Sequence, residues 1–401
     1  MKDLKNMIFF ENLLDDPDNE LVKKAQDDGG VCLGYTCYYV PEVLLNVDKC
    51  FSTRLRAPRT GSIDIATYYM SNYTCEFCRS ILERAIEGGY EFLDALCEPD
   101  ACSAMNRMAE HFEILQLNKK PNFFVTHLET PYKVEDYTVD MFETQVQEHI
   151  LNQLEEKYGV DISDAAIRKA VEEHNEVCQI MTELSDLRKL DNPPITGYEY
   201  AVICLVTYTC PKALILPYLR DTLAEVKKRK PDPKPWYRAR VEVVGSEIDD
   251  PELIKMMEES GAFVVADRYC FGTFPGRQVI PLDDNKPALH QVIEYYMRTS
   301  ECARWMAEDK IQQRHDTVDT LAKEFKADGI IYEQMKYCDF WGFERTMAGF
   351  VLKHDYGWPV LSIDRGYQVR GSGQLRTRFQ AFVEALEIKK IKEAKKEGVT
   401  A

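Results

Sequence analysis

Twice along this chain, short runs of Val, Leu, Ile, Phe and Tyr alternate with longer stretches of helical spacing, and few folds accommodate that rhythm. In the first third, strand-like runs at 31–35, 51–55, 92–96 and 122–126 are separated by a helix start at 41–47 and by helices at 71–87 and 101–115. Gly88-Gly89 stops one helix and Pro131 closes the last strand. Strands that alternate with helices pair in parallel, because the crossover returns the chain to the same end of the sheet. The rhythm resumes with strands at 240–245, 263–267, 329–334 and 360–363. Helices are expected from Asp250-Pro251 to Gly261, over 288–324 and 342–353, and from Gln374 onward. Between the two halves, from 134 to about 230, Glu, Lys, Gln and Leu recur at helical spacing, Asp161-Ile162-Ser163-Asp164 offers N-caps, and a Pro- and Lys-rich linker follows at 230–235. The expected architecture is α/β: two doubly wound, Rossmann-like lobes with parallel sheets, at 1–133 and 236–401, and an intervening helical segment with its linker at 134–235. The second lobe ends in a long C-terminal helix.

With 401 residues, 45% of them hydrophobic, the chain can bury sizeable cores. Its formal charge of -17 argues against a nucleic-acid partner, which would need clustered Lys and Arg. The start, Met1-Lys2-Asp3-Leu4-Lys5, is not followed by an apolar run, and the longest apolar stretch, at 198–219, is broken by Thr207, Cys210, Pro211 and Lys212. No membrane segment is therefore expected, and the cytoplasm is the expected compartment.

Thirteen cysteines then stand out, because disulfides are not expected in that compartment. Cys178, Cys204 and Cys302 sit inside helical patterns and read as small buried apolar residues. Others fall where function gathers in parallel sheets, just past the carboxyl ends of strands. Cys37 follows the run at 31–35, Cys97 and Cys102 follow 92–96, Cys270 follows 263–267 and Cys338 follows 329–334, while Cys75 and Cys78 form a Cys-x-x-Cys at a helix start. This placement points to a metal site between the lobes. Cys75, Cys78, Cys97 and Cys102 have the order of a zinc ribbon, but the insert at 79–96 holds a helix and a strand of the main sheet, which strains that geometry. Iron–sulfur clusters accept thiolates far apart in sequence.

Several motifs, in order, resemble the benzoyl-CoA reductase / 2-hydroxyacyl-CoA dehydratase family. Gly34-Tyr35-Thr36-Cys37-Tyr38-Tyr39-Val40-Pro41-Glu42 is similar to its first cysteine motif, and Ser71-Asn72-Tyr73-Thr74-Cys75 with Arg79-Ser80 to its second. Tyr90-Glu91-Phe92-Leu93-Asp94 leading to Ala101-Cys102 resembles the third. In the second lobe the resemblance lies in Val244-Gly245-Ser246-Glu247-Ile248-Asp249-Asp250-Pro251, Cys270-Phe271-Gly272, Cys338-Asp339-Phe340-Trp341-Gly342 and the run from Gly373 to Phe382. It extends from about residue 30 to 387. The Ser246-to-Pro251 run and Asp339-Phe340-Trp341-Gly342 look nearer the benzoyl-CoA reductase branch. Cys102-Ser103 departs from a Cys-Asp pattern, and Asp364-Arg365-Gly366-Tyr367 departs from an acidic-Arg-Glu-Tyr run.

The resemblance implies an oxygen-sensitive iron–sulfur enzyme subunit with a 4Fe-4S cluster on three thiolates. Carried over residue by residue, these are Cys37, Cys75 and Cys338, with Cys102 as a competing third or fourth. The cluster is expected to supply one electron at very low potential to a CoA thioester, giving a ketyl-type radical anion. The reaction is benzoyl-CoA-type ring reduction or, alternatively, dehydration of an (R)-2-hydroxyacyl-CoA. The expected partners are a paralogous iron–sulfur subunit and a separate ATP-dependent activator; this chain has no Gly-x4-Gly-Lys-Ser/Thr loop and so no direct ATP site of that kind. Glu42, five residues past Cys37, is a candidate proton shuttle or a plain acid at a helix N-terminus. His127 is a candidate catalytic acid or an ordinary loop histidine. Gly371-Ser372-Gly373-Gln374 precedes a helix and offers N–H groups to a phosphate or carbonyl oxygen, with Arg376 and Arg378 nearby, or is simply a turn and cap. Three further possibilities stay open: an electron-relay subunit, a homodimeric double-cubane reductase that recruits Cys78 and Cys270, and a two-lobed binding protein.

Overall fold

The computed structural model describes residues 2–273, 278–369 and 372–396. The first sheet holds β1 (Val31–Tyr35), β2 (Cys50–Arg54), β3 (Ala95–Pro99) and β4 (Phe124–Leu128) in the order β2-β1-β3-β4. The second holds β5 (Ala239–Gly245), β6 (Ala262–Tyr269), β7 (Gly329–Met335) and β8 (Val360–Arg365) in the order β6-β5-β7-β8. Every pairing is parallel. Both sheets therefore have the same winding, with the second strand outside the first and the third and fourth on the other side. In each, the order reverses between the first and third strands, and a crevice opens beyond the carboxyl ends there.

The helical stretch runs Asp136–Val146, a π turn at Gln147–Leu151, Asn152–Tyr158, Asp164–Asp186, Gly197–Thr209 and Lys212–Lys228. Its caps are those the residues dictate: Ser163 Oγ accepts from Ala166 N, and Thr196 and Glu199 form a reciprocal capping box. Gly197–Thr209 is apolar around most of its circumference, and twelve of its thirteen residues are buried. It packs against β2 of one lobe and β6 of the other, so it is the wedge between the two sheets. One apolar core consequently runs through both lobes, from Phe10 and Phe77 to Met257 and Phe379.

Three local expectations are corrected. The third strand lies at Ala95–Pro99 rather than 92–96, because Asp94 is spent tying the strand start: its N–H donates to Cys32 O and its carboxylate accepts from Cys32 N. Cys97 is therefore inside the strand and not beyond it. The helix expected over 288–324 is two helices, Ala288–Thr299 and Glu308–Glu324. The break is held by Arg304, whose guanidinium donates to the carbonyls of Thr130, Pro131 and Asp100 in the first lobe. Cys302 thus lies on a loop and not within a helix. The helix start expected at 41–47 is a 3-10 turn, Glu42–Asn46.

Candidate functional site

The carboxyl ends of the two sheets face a common region, and the cysteines collect there in two adjoining groups. The first comprises Cys75, Cys78, Cys102 and Cys338. Cys75, Cys102 and Cys338 each occupy the N-cap of a helix, Glu76–Ile86, Ser103–Ile114 and Asp339–His354 respectively. Each of these sulfurs thus sits at a helix N-terminus, a position that favours negative charge. Cys102 Sγ accepts from Met105 N at 3.4 Å. Cys78 lies against the sulfurs of Cys102 and Cys75; those contacts, with burial, hold its thiol well above the usual range, while Cys78 in turn lowers Cys102. Burial, followed by the nearby Cys75 sulfur, raises Cys338. Packed thiols of this kind cannot all ionise unless a cation compensates them.

The second group comprises Cys37, Cys270 and Cys302. Cys37 and Cys302 pack against Tyr39, Ala101 and Trp305, and Cys270, Cys302 and Cys338 share the cluster of Tyr332 and Trp341. Burial, followed by the neighbouring thiol of Cys302, raises Cys37. Cys302 Sγ accepts from Arg304 N at 3.5 Å. The two groups meet around one buried ion pair, Arg54 and Glu247, with Nη2 and Oε2 3.7 Å apart. Beside it Glu98, at the end of β3, accepts from Thr36 Oγ1 at 2.5 Å through one oxygen, while the other has no hydrogen-bond partner among the described residues. Burial pushes Glu98 up to about 8, so it holds a proton at neutral pH. At the rim, Tyr73 and Tyr337 touch edge to face across the lobes at 5.8 Å.

The structure brings together Cys37, Cys75, Cys102 and Cys338, and adds Cys78, Cys270 and Cys302. Cys97 does not join them. It faces the opposite side of the first sheet, in the cluster of Leu33, Val43 and Phe142, and this removes the zinc-ribbon set. Glu42 lies on the turn after Cys37 but is buried. Its Oε1 is paired with Lys212 Nζ and accepts from Ser52 Oγ at 3.1 Å, and Oε2 lies 3.7 Å from His174 Nδ1. His174 Nε2 is in turn 3.2 Å from Cys178 Sγ. His127 points outward from β4 and pairs with Glu113 at 2.9 Å. Gly371 lies outside the described residues. Ser372 caps the last helix through Leu375 N, and Gly373 and Gln374 are exposed. Arg376 pairs with Glu259, and Arg378 donates to Ser362 O.

The sequence alone does not single out Arg54, Glu98 and Cys302 as functional. Arg54 closes a strand and Cys302 sits in helical spacing, so neither carries a local signal. Glu98 is readable there only as a carboxylate near a strand end.

Residues 37–386 match the sequence model of the family described as 2-hydroxyglutaryl-CoA dehydratase, D-component. The chain belongs to this family. The (R)-phenyllactyl-CoA dehydratase beta subunit of Clostridium sporogenes is 25% identical over 380 residues, covering 94% of this chain and 97% of the relative. The (R)-2-hydroxyglutaryl-CoA dehydratase beta subunit of Acidaminococcus fermentans is 24% identical over 392 residues, covering 94% and 98%. One of the subunits of benzoyl-CoA reductase from Thauera aromatica is 21% identical over 331 residues, covering 81% and 83%. Membership expected from the motif order is thus shown, and these relatives are subunits of enzymes. Both branches are represented, with these dehydratase subunits at the higher identities, so identity does not carry the expected lean toward the benzoyl-CoA reductase branch. No helix among the described residues is long and apolar enough to cross a membrane.

Proposed function

We propose that this chain is an oxygen-sensitive iron–sulfur subunit that passes low-potential electrons to a CoA thioester. The observation that carries the reading is the set of seven thiols gathered at the strand ends of both lobes around Arg54 and Glu247. Their chemistry fits a cluster. Four thiolates on one zinc ion sit ~3.8 Å apart, as tetrahedral bonds of ~2.3 Å require; among the described residues no three cysteine sulfurs lie within 4.8 Å of one another. A cubane, whose irons occupy separate corners, needs that wider spread. Cys37, Cys75 and Cys338, with Cys102 as a competing third or fourth thiolate, would hold it, and when bound it supplies one-electron transfer. The chain's own groups serve this chemistry. The three helix N-termini and the N–H donors at Cys102 and Cys302 stabilise charge on sulfur. Glu98 keeps a proton close by.

The names of the relatives support a CoA-thioester substrate, an (R)-2-hydroxyacyl-CoA for dehydration in the first place. Benzoyl-CoA-type ring reduction is supported by the Ser246-to-Pro251 and Asp339-to-Gly342 motifs. That each of these relatives is one subunit of a larger enzyme supports a paralogous partner, and a separate ATP-dependent activator would supply the electron. A second reading rests on the Cys37–Cys270–Cys302 group: seven thiols exceed what one cubane uses, and a double-cubane reductase would take both groups. Anaerobic purification with iron and sulfide counted per chain tests these together. About four irons support one cubane and about eight the double one, and stoichiometric zinc without iron rejects both. Turnover of (R)-2-hydroxyacyl-CoA against benzoyl-CoA, with partner and activator supplied, then assigns the reaction.

A further inference from the structure

Among the described residues, Arg54 is the only guanidinium hydrogen-bonded to a backbone carbonyl of both thiol-bearing loops, Thr36–Cys37 in the first lobe and Cys270 in the second. Its placement is over-determined. It ends β2 beside Tyr35 of β1, and it is 2% exposed. Nε donates to Thr36 O at 2.8 Å, on the residue before Cys37, and Nη1 donates to the carbonyl of Cys270 itself at 2.5 Å. The guanidinium carbon lies 3.8 Å from the centre of the Phe271 ring and 5.3 Å from that of Tyr208, and Nη2 faces Glu247. No water-facing function remains for a side chain held on four sides, and a buried charge is kept only where it meets charge of the opposite sign. Glu247 is one such partner, at 3.7 Å. That separation is too long for the bidentate pair that arginine ordinarily forms with a carboxylate. The charge instead sits between the Cys37 and Cys270 loops, bonded to a carbonyl of each.

We infer that Arg54 is a positioning and charge-compensating residue for the thiol-held redox group: it staples the Cys37 loop to the Cys270 loop across the lobes and sets the reduction midpoint of that group. The inference rests on the iron–sulfur reading above. Reduction adds one electron to a site already rich in thiolate, and a fixed positive charge in low dielectric favours the reduced form. Arginine suits the task because it stays charged and its planar fork can meet two carbonyls and a ring face at once.

The test is a redox titration of the anaerobically purified full chain, followed by electron paramagnetic resonance, with iron counted per chain. R54Q keeps much of the shape and polarity but removes the charge. Its midpoint should move to a more negative potential while half or more of the iron is retained. R54K keeps the charge beside Glu247 and loses one of the two carbonyl bonds; it should load iron with a midpoint close to wild type. Iron-loaded R54Q with a wild-type midpoint overturns the inference. If R54Q does not fold, R54K decides alone, because a midpoint displaced clearly negative there rejects the charge role. Wild-type protein that carries no iron rejects the iron–sulfur reading and this inference with it, whereas an iron-loaded wild type with insensitive variants rejects the Arg54 role only.

Discussion

Replacing Lys212 by Met should cost about 3 kcal/mol of folding stability, and the reasoning comes from what surrounds Glu42. Lys212 is 2% exposed and Glu42 is 5% exposed, and the two side chains are paired. Removing one member of a buried pair typically costs about 3–5 kcal/mol, because the other charge is left without compensation. Here the stranded carboxylate keeps two partners, Ser52 Oγ at 3.1 Å and His174 Nδ1 at 3.7 Å. At an effective dielectric of ~20 a positive imidazole at that separation attracts Glu42 by roughly 4 kcal/mol before desolvation is subtracted. That brings the expected cost to the lower end of the range. The double variant K212M/E42Q removes both charges and should recover more than half of the loss. Guanidinium chloride unfolding at pH 7, followed by far-ultraviolet circular dichroism, measures each value. A cost below about 1 kcal/mol for K212M, or a double variant as unstable as the single, would refute the claim that Glu42 is a charged anchor of the turn after Cys37.

Stability should also fall between about pH 6.5 and 9 through His174. Burial opposes its charged form, but Cys178 and Glu42 overcome burial and raise it to about 9. A raised histidine contributes fully below its unfolded value near 6.5 and loses that contribution as pH climbs through 9, on the order of 3 kcal/mol in all; His174→Gln should flatten the slope of midpoint against pH. Cys37→Ser, Cys75→Ser and Cys338→Ser should each lose cluster iron while circular dichroism stays native, whereas Cys178→Ser, Cys204→Ser and Cys97→Ser should keep it, since a hydroxyl cannot replace a thiolate ligand. Uniform behaviour of the two sets would discard the ligand assignment. Cys102→Ser separates a ligand, which loses iron, from a substrate-side group, which keeps iron and loses turnover. Glu344→Ala should destabilise the chain by about 3–5 kcal/mol in the same unfolding assay, because its buried carboxylate holds Arg314 at 2.7 Å and Arg314 holds the carbonyls of Cys302 and Trp305.

The family and the winding of the sheets were legible in the residues, because periodicity is local. A run such as 31–35 or 263–267 declares a buried strand by its own composition, and helices between strands force parallel pairing wherever the lobes end up. The strand-end positions of Cys37, Cys270 and Cys338 followed from the same reading, as did Cys75 and Cys102 near helix starts. What the chain could not disclose in one dimension was which face and which neighbour each group meets. Cys97 differs from Cys102 by five positions, yet a strand turns its side chains alternately to opposite faces, and Asp94's hold on Cys32 set the start that put Cys97 on the wrong one. Cys302 has helical spacing on both sides, and only Arg304's bonds to the first lobe pull it out of a helix and into the second thiol group. Glu42 keeps its place beside Cys37 in sequence, but its charge belongs to Lys212, 170 residues away. Periodicity reports what a segment buries; the partner of a buried charge is decided by packing between segments distant in the chain, and that is where tertiary structure alone chose Arg54, Glu247 and Glu98.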